Sequence, residues 1–424
     1  MLGMLLGLLI LFFAMGTPIY IALSLPSFVN IIASGYDGMV MIQRFFGGID
    51  RFSLMAIPFF ILAADVMGRG GMSKRIINLA EVFLGRFYGG TATATVVACL
   101  VFGALSGSSP ATVCAIGGIT YPMLLKNGYP KHFAAGTVCS ASSLAIVIPP
   151  SITMIVFAST AGCSVGDLFI AGIIPGIIMG LIFIAYCYYF ARKHNIRSEK
   201  NYSAKDKVKA LTECIWALGV PIIILGGIYG GVFTPTEAST VAAVYAILVS
   251  MFIYKEMSLK ELYLTCLKSA LTTAQVMILV SAASTLSWVL TVNQVQEIFL
   301  NFISAFLSYP WIVLLIMNII LVLAGMFMDA VPFVLLLTPL FMPIFLQMGY
   351  SPIHLGMLMT VSGALGMYSP PFGLNIFVGM GVFKESFSTI ARAVVPFVFL
   401  GIISMLLITY IPQLSLWLPA LMRG

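Results

Sequence analysis

Long stretches of this chain carry almost no charge. No Asp, Glu, Lys or Arg precedes Asp37, and none lies between Arg86 and Lys126. Between Lys131 and Arg192 the only such residue is Asp167, and between Lys268 and Lys384 there are only Glu297 and Asp329. Charged residues make up 8% of the chain, against roughly a quarter in a soluble domain. Water cannot solvate a surface this apolar, whereas a bilayer can, and each gap is long enough for at least one crossing of about 20 residues. An all-α integral membrane protein is expected, with roughly 11 crossings and some segments that do not cross.

Other features exclude classes of function. The apolar start, Met1 to Ala14, lacks a basic n-region and reads as a retained first helix rather than a cleaved signal. Seven scattered cysteines without CxxC spacing read as small apolar residues. His132, His194 and His354 are dispersed, so no transition-metal site is expected. The net charge of +7 is concentrated in Arg192 to Lys200 and in Lys205, Lys207 and Lys209. A basic loop between apolar segments marks the cytoplasmic side or a patch for anionic lipid, not nucleic acid. Two stretches, Met72 to Phe87 and Met257 to Lys268, are amphipathic and suit either the membrane interface or packing on protein. Thr234-Pro235-Thr236-Glu237 is a capping box that starts a helix.

The chain also repeats itself. Pro122, Gly128, Pro149-Pro150 and Pro175 recur as Pro343, Gly349, Pro370-Pro371 and Pro396, all at a separation of 221 residues. The domain reading follows: a first half, 1–190, with a hairpin near 88–125; a cytoplasmic basic linker, 191–210; and a second half, 211–424, with a hairpin near 310–348. Internal repeats of this kind, often inverted, characterise secondary transporters.

Each half holds two places a smooth membrane helix cannot traverse. The first is Ser106-Gly107-Ser108-Ser109-Pro110 in one half and Gly325 to Pro332 in the other. Glycine loosens the backbone and proline removes a donor. Irregular backbone at membrane depth is tolerated only where it is buried in protein or lines a cavity, so a re-entrant hairpin with this motif at its tip is expected. The second is Pro149-Pro150, matched by Pro370-Pro371, where a helix must break. A break frees carbonyl oxygens and leaves a half-helix N-terminus facing inward. Such groups can hold a cation and an anionic substrate. The tips and breaks offer hydroxyls and carbonyls, with Asp329 the one titratable side chain; oxygen ligands without exchangeable protons favour Na⁺ as coupling ion. Asp329 is open to three roles: ion ligand, helix cap or substrate contact. No Lys or Arg lies near these motifs in the sequence, so an anionic substrate is expected to find its counter-charge in bound Na⁺ and helix N-termini.

Six signatures carry a resemblance: SGSSPATV at 106–113, IPPS at 148–151, LFIAGIIPG at 168–176, GVFTPTEAS at 231–239, GMFMDAVP at 325–332 and SPPFGLN at 369–375. Over essentially the whole chain the sequence resembles the large membrane subunit of the tripartite ATP-independent periplasmic (TRAP) transporters. The resemblance implies an elevator-type fold in the bacterial inner membrane and two partners. One is a small four-helix membrane subunit, expected here as a separate chain; the other is a soluble periplasmic substrate-binding protein. It implies import of carboxylated solutes, C4-dicarboxylates or sialic acid. It also implies one Na⁺ among Ser106, Ser109, Ala145, Ile148 and Pro149, and another among Gly325, Asp329, Gly366 and Ser369. Substrate is then expected among Ser108, Thr112, Pro150, Ser151, Pro371 and Asn375. Many members of the family have Gly where this chain has Ser109.

Other classes fit less well. A stand-alone sodium- or proton-coupled dicarboxylate carrier would work without a binding protein. A membrane enzyme needs convergent titratable groups, and a channel needs a continuous polar pore. No P-loop is present in the sequence to support ATP-driven transport.

Overall fold

The structure is a computed structural model that describes residues 2–197, 202–304 and 309–423. Part of the basic linker, Ser198 to Asn201, lies outside the described residues.

The apolar start forms the helix expected there, α1 (Leu2–Ala14), and α2 (Ile19–Ala33) follows it. Gly16 turns the chain at φ +67° and Pro18 precedes the second helix, which limits each to a length shorter than a full crossing. A short α3 (Met39–Gly47) leads to α4 (Ala56–Arg69) and α5 (Met72–Leu84). The amphipathic α5 packs on protein: Ile76, Ile77, Ala80 and Val82 are buried, and its neighbours are the helices at 90–106 and 204–221.

The first hairpin follows. Its arms are α6 (Gly90–Ser106) and a second stretch made of α7 (Ser109–Thr112), a π-helical turn at Val113–Gly117 and α8 (Gly118–Lys126). Next come α9 (Lys131–Ser142), tightened at its end into a 3₁₀ turn, then the Pro149-Pro150 break, α10 (Ile152–Ala161) and the 29-residue α11 (Val165–Lys193). Beyond the linker, α12 (Ala204–Pro221) continues through a π turn into α13 (Gly227–Tyr229), and α14 (Pro235–Leu248) starts at Thr234. The capping box there is formed: Thr234 Oγ1 accepts from the Glu237 amide, and the Glu237 carboxylate accepts from the Thr234 amide at 2.8 Å. The second amphipathic stretch is no separate element. It is the foot of α15 (Leu259–Val292), which runs 34 residues.

After α16 (Val295–Ser304) the series repeats: α17 (Pro310–Phe327), α18 (Ala330–Gln347), α19 (Pro352–Tyr368), the Pro370-Pro371 break, α20 (Leu374–Phe383) and α21 (Phe387–Tyr410). The chain ends on α22 (Gln413–Arg423). Both Pro-Pro bonds are cis, and the helices that follow α10 and α20, α11 and α21, start on equivalent serine caps, Ser164 and Ser386. The repeat is not perfect, since α18 runs unbroken through Pro339 and Pro343 where the first half inserts its π turn.

Eight helices among the described residues are long and apolar enough to cross a bilayer. Both helices after the breaks, α10 and α20, have 10 residues. That is about 15 Å, half of a hydrocarbon core.

Candidate functional site

The first hairpin tip is tied by its own hydroxyls. α6 stops where Gly107 takes φ +56°; Ser108 is extended, and Pro110 fits the opening turn of α7. Ser106 Oγ lies 3.0 Å from Thr112 Oγ1, and Thr112 Oγ1 donates to the Ser108 carbonyl at 2.9 Å. Gly107 is pressed on the break, where a Cβ would stand 2.9 Å from the Pro150 carbonyl oxygen. Only glycine serves here, for its conformation and for its lack of a side chain.

The break is seated on α11 through small residues one turn apart. A Cβ on Gly172 would meet the Val147 carbonyl at 2.6 Å, and one on Gly176 would meet the Ile148 side chain at 2.3 Å. The LFIAGIIPG signature thus makes the groove that holds the break. Ile148 packs its side chain on Gly176; being aliphatic, it could offer an ion only its backbone carbonyl. Ser151 caps α10, its Oγ accepting from the Met154 amide.

The second half repeats the juxtaposition. Gly325 at the end of α17 lies against Gly366 of α19, backbone on backbone. Asp329 caps α18, Oδ1 accepting from the Ala330 amide at 2.7 Å. Ser369 is buried and donates to the Leu365 carbonyl at 2.6 Å. The halves are linked by Asn375 at the start of α20. Its Nδ2 donates to the Cys139 carbonyl at 2.7 Å, and its amide lies within 2.9 Å of Ser109 Oγ. All three residues are fully buried.

The tips and breaks converge on one cavity of about 170 Å³. Ser106 to Ala111 and Asp329 to Val331 come from the two tips; Ile146, Ile152, Thr153 and Met367 flank the breaks. The remaining wall belongs to α4 and α15 and brings Asp65, Lys268 and Thr272. Lys268 Nζ lies 2.7 Å from Asp65 Oδ1, and Ser269 Oγ donates to Asp65 Oδ2 at 2.8 Å. This corrects the expectation that an anionic substrate has no side-chain counter-charge. The ammonium was missed because α15 is remote in sequence from every motif; its signal was a lysine at the foot of a long apolar segment, spaced one turn from Thr272.

Of the residues the sequence singles out, Ser106, Ser108, Ser109 and Asp329 line the cavity, while Ala145, Pro149, Pro150, Ser151, Thr112, Gly325, Gly366 and Asn375 form the packed shell behind it. Pro371 is exposed and outside the cavity wall. Among the described residues no cluster of His, Cys, Asp or Glu could hold a metal. All seven cysteines are free; Cys99, Cys139, Cys187 and Cys214 are buried, Cys114 is exposed, and Cys163 and Cys266 are half-buried.

The sequence profile described as "Tripartite ATP-independent periplasmic transporter, DctM component" matches residues 6–414. The chain belongs to the DctM family. Similar relatives include the C4-dicarboxylate TRAP transporter large permease protein DctM of Pseudomonas aeruginosa, 41% identical over 87% of each chain. The ectoine TRAP transporter large permease protein TeaC of Halomonas elongata is 36% identical, covering 99% of this chain and 98% of its own. The isethionate TRAP transporter permease protein DctMQ of Oleidesulfovibrio alaskensis is 38% identical over 98% of this DctM chain, which spans 66% of that relative's length. The fold is shared with the YdaH transporter of Alcanivorax borkumensis at a TM-score of 0.64, covering 88% of this chain and 87% of that one at 13% identity. This DctM chain is thus an inner-membrane transport component and not an enzyme.

Proposed function

We propose that this DctM chain carries an anionic organic acid into the cell by sodium-coupled, elevator-type transport, with the cavity between the hairpin tips as the carrier site. The observation that carries this reading is the composition of that cavity: the two tips and residues flanking the two breaks on one side, the Lys268–Asp65 pair on the other. Tips and breaks are fastened to each other through Gly107 on Pro150 and Gly325 on Gly366, so they would travel as one body. α4 and α15 would form the wall they move against. Hydroxyls and freed carbonyls behind the tips suit Na⁺, as a hard cation prefers oxygen. Ser106, Ser109 and the backbone of Ala145, Ile148 and Pro149 would supply the first site. Gly325, Asp329, Gly366 and Ser369 would supply the second.

Na⁺ bound behind each tip places positive charge beside the cavity, and Lys268 adds an ammonium in front of it. A carboxylate between them is attracted from both sides, which couples substrate binding to sodium. Named cargoes of the relatives are a C4-dicarboxylate, the sulfonate isethionate and the zwitterion ectoine. For this chain we favour a carboxylated solute, sialic acid or a C4-dicarboxylate, delivered by a periplasmic binding protein to a complex with a small four-helix membrane subunit.

The test is uptake into proteoliposomes holding the chain and its small subunit, with and without the binding protein and an inward sodium gradient. Labelled succinate and sialic acid are run in parallel. Uptake of one label that requires both sodium and binding protein is expected. Uptake by the chain alone, or uptake indifferent to sodium, would return the stand-alone dicarboxylate carrier as the better reading.

A further inference from the structure

We propose a second anion site, built around Arg44 and Arg51, that receives substrate on the periplasmic side before it reaches the tips. The inference rests on the transport reading above and adds a site to it.

The same three helices that wall the tip cavity enclose a second one further along. α15 contributes Lys268, Thr272 and Val276 to the first, then Ser284, Ser287 and Trp288 to the second; α10 contributes Ile152 and Thr153 to the first, then Thr160 to the second; α18 supplies Val331 and then Leu335. From Thr272 to Ser284 is about 18 Å along a helix axis. The second cavity has a volume of about 270 Å³.

Its side of the membrane follows from the helix count. The basic segment at 192–209 faces the cytoplasm. The spans at Ala204–Tyr229, Pro235–Ile253 and Leu259–Val292 then cross in turn, so the foot of α15 is cytoplasmic and its C-terminal end is periplasmic. Lys268 lies toward the inside and Ser284 to Trp288 toward the outside. Two arginines at that outer end run against the usual charge bias and call for a reason other than topology.

Both guanidiniums are held in place without an acid. Arg44 lies 5.5 Å from the centre of the Trp288 ring, and Trp288 is braced edge-on by Tyr36. Arg51 donates to the Ser159 carbonyl. No ion pair among the described residues engages either. α3 is pressed on α15 beside them, since a Cβ on Gly48 would stand 2.4 Å from Ser284 Cβ. Two fixed cations with unneutralised charge, with hydroxyls of Thr160, Ser284 and Ser287 on the same wall, suit a small carboxylate or sulfonate. Placed on the route to Lys268, they would raise its local concentration.

Trp288 makes the site observable. A chain with Trp216, Trp311 and Trp417 replaced by Phe keeps Trp288 as the only indole. Succinate, isethionate and sialic acid are titrated separately against this chain in phosphatidylcholine nanodiscs, with fluorescence as readout. A saturable change with at least one anion is expected, weakened about tenfold or more in R44Q/R51Q and largely kept in R44K/R51K. K268Q in the same background should leave the titration unchanged. No saturable change with any of the three, or a change that K268Q abolishes, overturns the proposal. So does a change that R44Q/R51Q leaves intact, or one that appears only when phosphatidylglycerol replaces part of the phosphatidylcholine in the disc. The titration needs neither sodium nor binding protein, so its failure is separate from a failure of the uptake experiment.

Discussion

Gly366 lies so close to Gly325 that a Cβ on it would stand 2.3 Å from both the carbonyl carbon and the carbonyl oxygen of Gly325. The first half has the same relationship between Gly103 and Ala145, where a Cβ on Gly103 would stand 2.6 Å from Cα of Ala145. In each half, the helix entering the tip rests backbone on backbone against the helix entering the break. Neither backbone can retreat, because Gly366 and Ala145 are themselves buried. Gly366→Ala should therefore cost about 1–3 kcal/mol through overpacking and lower uptake with it. Gly381→Ala, on the next helix with nothing within 4 Å of its would-be Cβ, is the matched control and should melt like the parent. Equal melting temperatures for the two variants would remove the close approach from the account.

The double proline separates α9 from α10, and its replacement tests whether the break is needed. With Pro149 and Pro150 both changed to Ala, the segment regains two amide donors and loses its main obstacle to continuous helix. The Pro150 carbonyl would then leave its place against Gly107. Uptake should fall at least tenfold while the protein still inserts, since Ala is the best helix former. Undiminished uptake would mean that the break is dispensable.

Sodium dependence separates the tip hydroxyls from Asp329. Ser106 and Ser109 are buried, and Ser109 is already held by Asn375. Ser106→Ala with Ser109→Ala should raise the sodium concentration for half-maximal uptake about tenfold, the loss of one or two oxygen contacts. Asp329→Asn keeps an oxygen for the Ala330 amide and removes the charge. If Asp329 is an ion ligand the sodium curve shifts in this variant too. If it carries a proton instead, a pH gradient ceases to affect uptake while the sodium curve stays put, and the coupling ion has been misassigned.

Much of this site is legible in the sequence because it is written twice. The tip at Gly325 to Pro332 stands out through its counterpart at Ser106 to Pro110, and Pro370-Pro371 through Pro149-Pro150. Backbone-breaking residues announce irregular geometry locally, wherever the rest of the chain goes. Lys268 and Asp65 carry no such mark. Their meaning depends on α4 and α15 packing across the tips, which is a tertiary fact. The same limit hid the true length of α15: the charges at Lys260, Glu261 and Lys268 made its first turns look like a separate amphipathic piece.

Lys268 offers the sharpest test of cargo charge. Its ammonium is shared with Asp65 across the cavity wall, and a substrate carboxylate would compete with or complete that pair. Lys268→Gln keeps length and donors but removes the charge. It should raise the KM for an anionic solute such as succinate about tenfold or more, the worth of one charge-assisted hydrogen bond. A zwitterion such as ectoine, if carried at all, should lose less. Equal loss for both would make Lys268 a structural partner of α4 and nothing more.

Glu385 joins elements far apart in sequence, outside the spans. Its carboxylate lies 2.8 Å from Lys131 Nζ at the start of α9 and accepts from Tyr121 Oη on α8 at 3.1 Å. The Lys131 ammonium, followed by the Tyr121 hydroxyl, holds the Glu385 carboxyl below its ordinary value against some desolvation. A depressed carboxylate contributes stability that is present above the unfolded pKa and lost as pH falls through the folded one. Glu385→Gln should therefore lower the melting temperature at pH 7, though by no more than about 2 °C, because Lys131 is largely exposed and the pair is screened. The difference between parent and variant should shrink as pH drops below about 4.5, the ordinary glutamate range, and vanish once the parent carboxylate is protonated. Melts of both proteins from pH 7 to pH 3 decide the matter: a gap that persists at pH 3 would mean that the variant loses packing rather than charge.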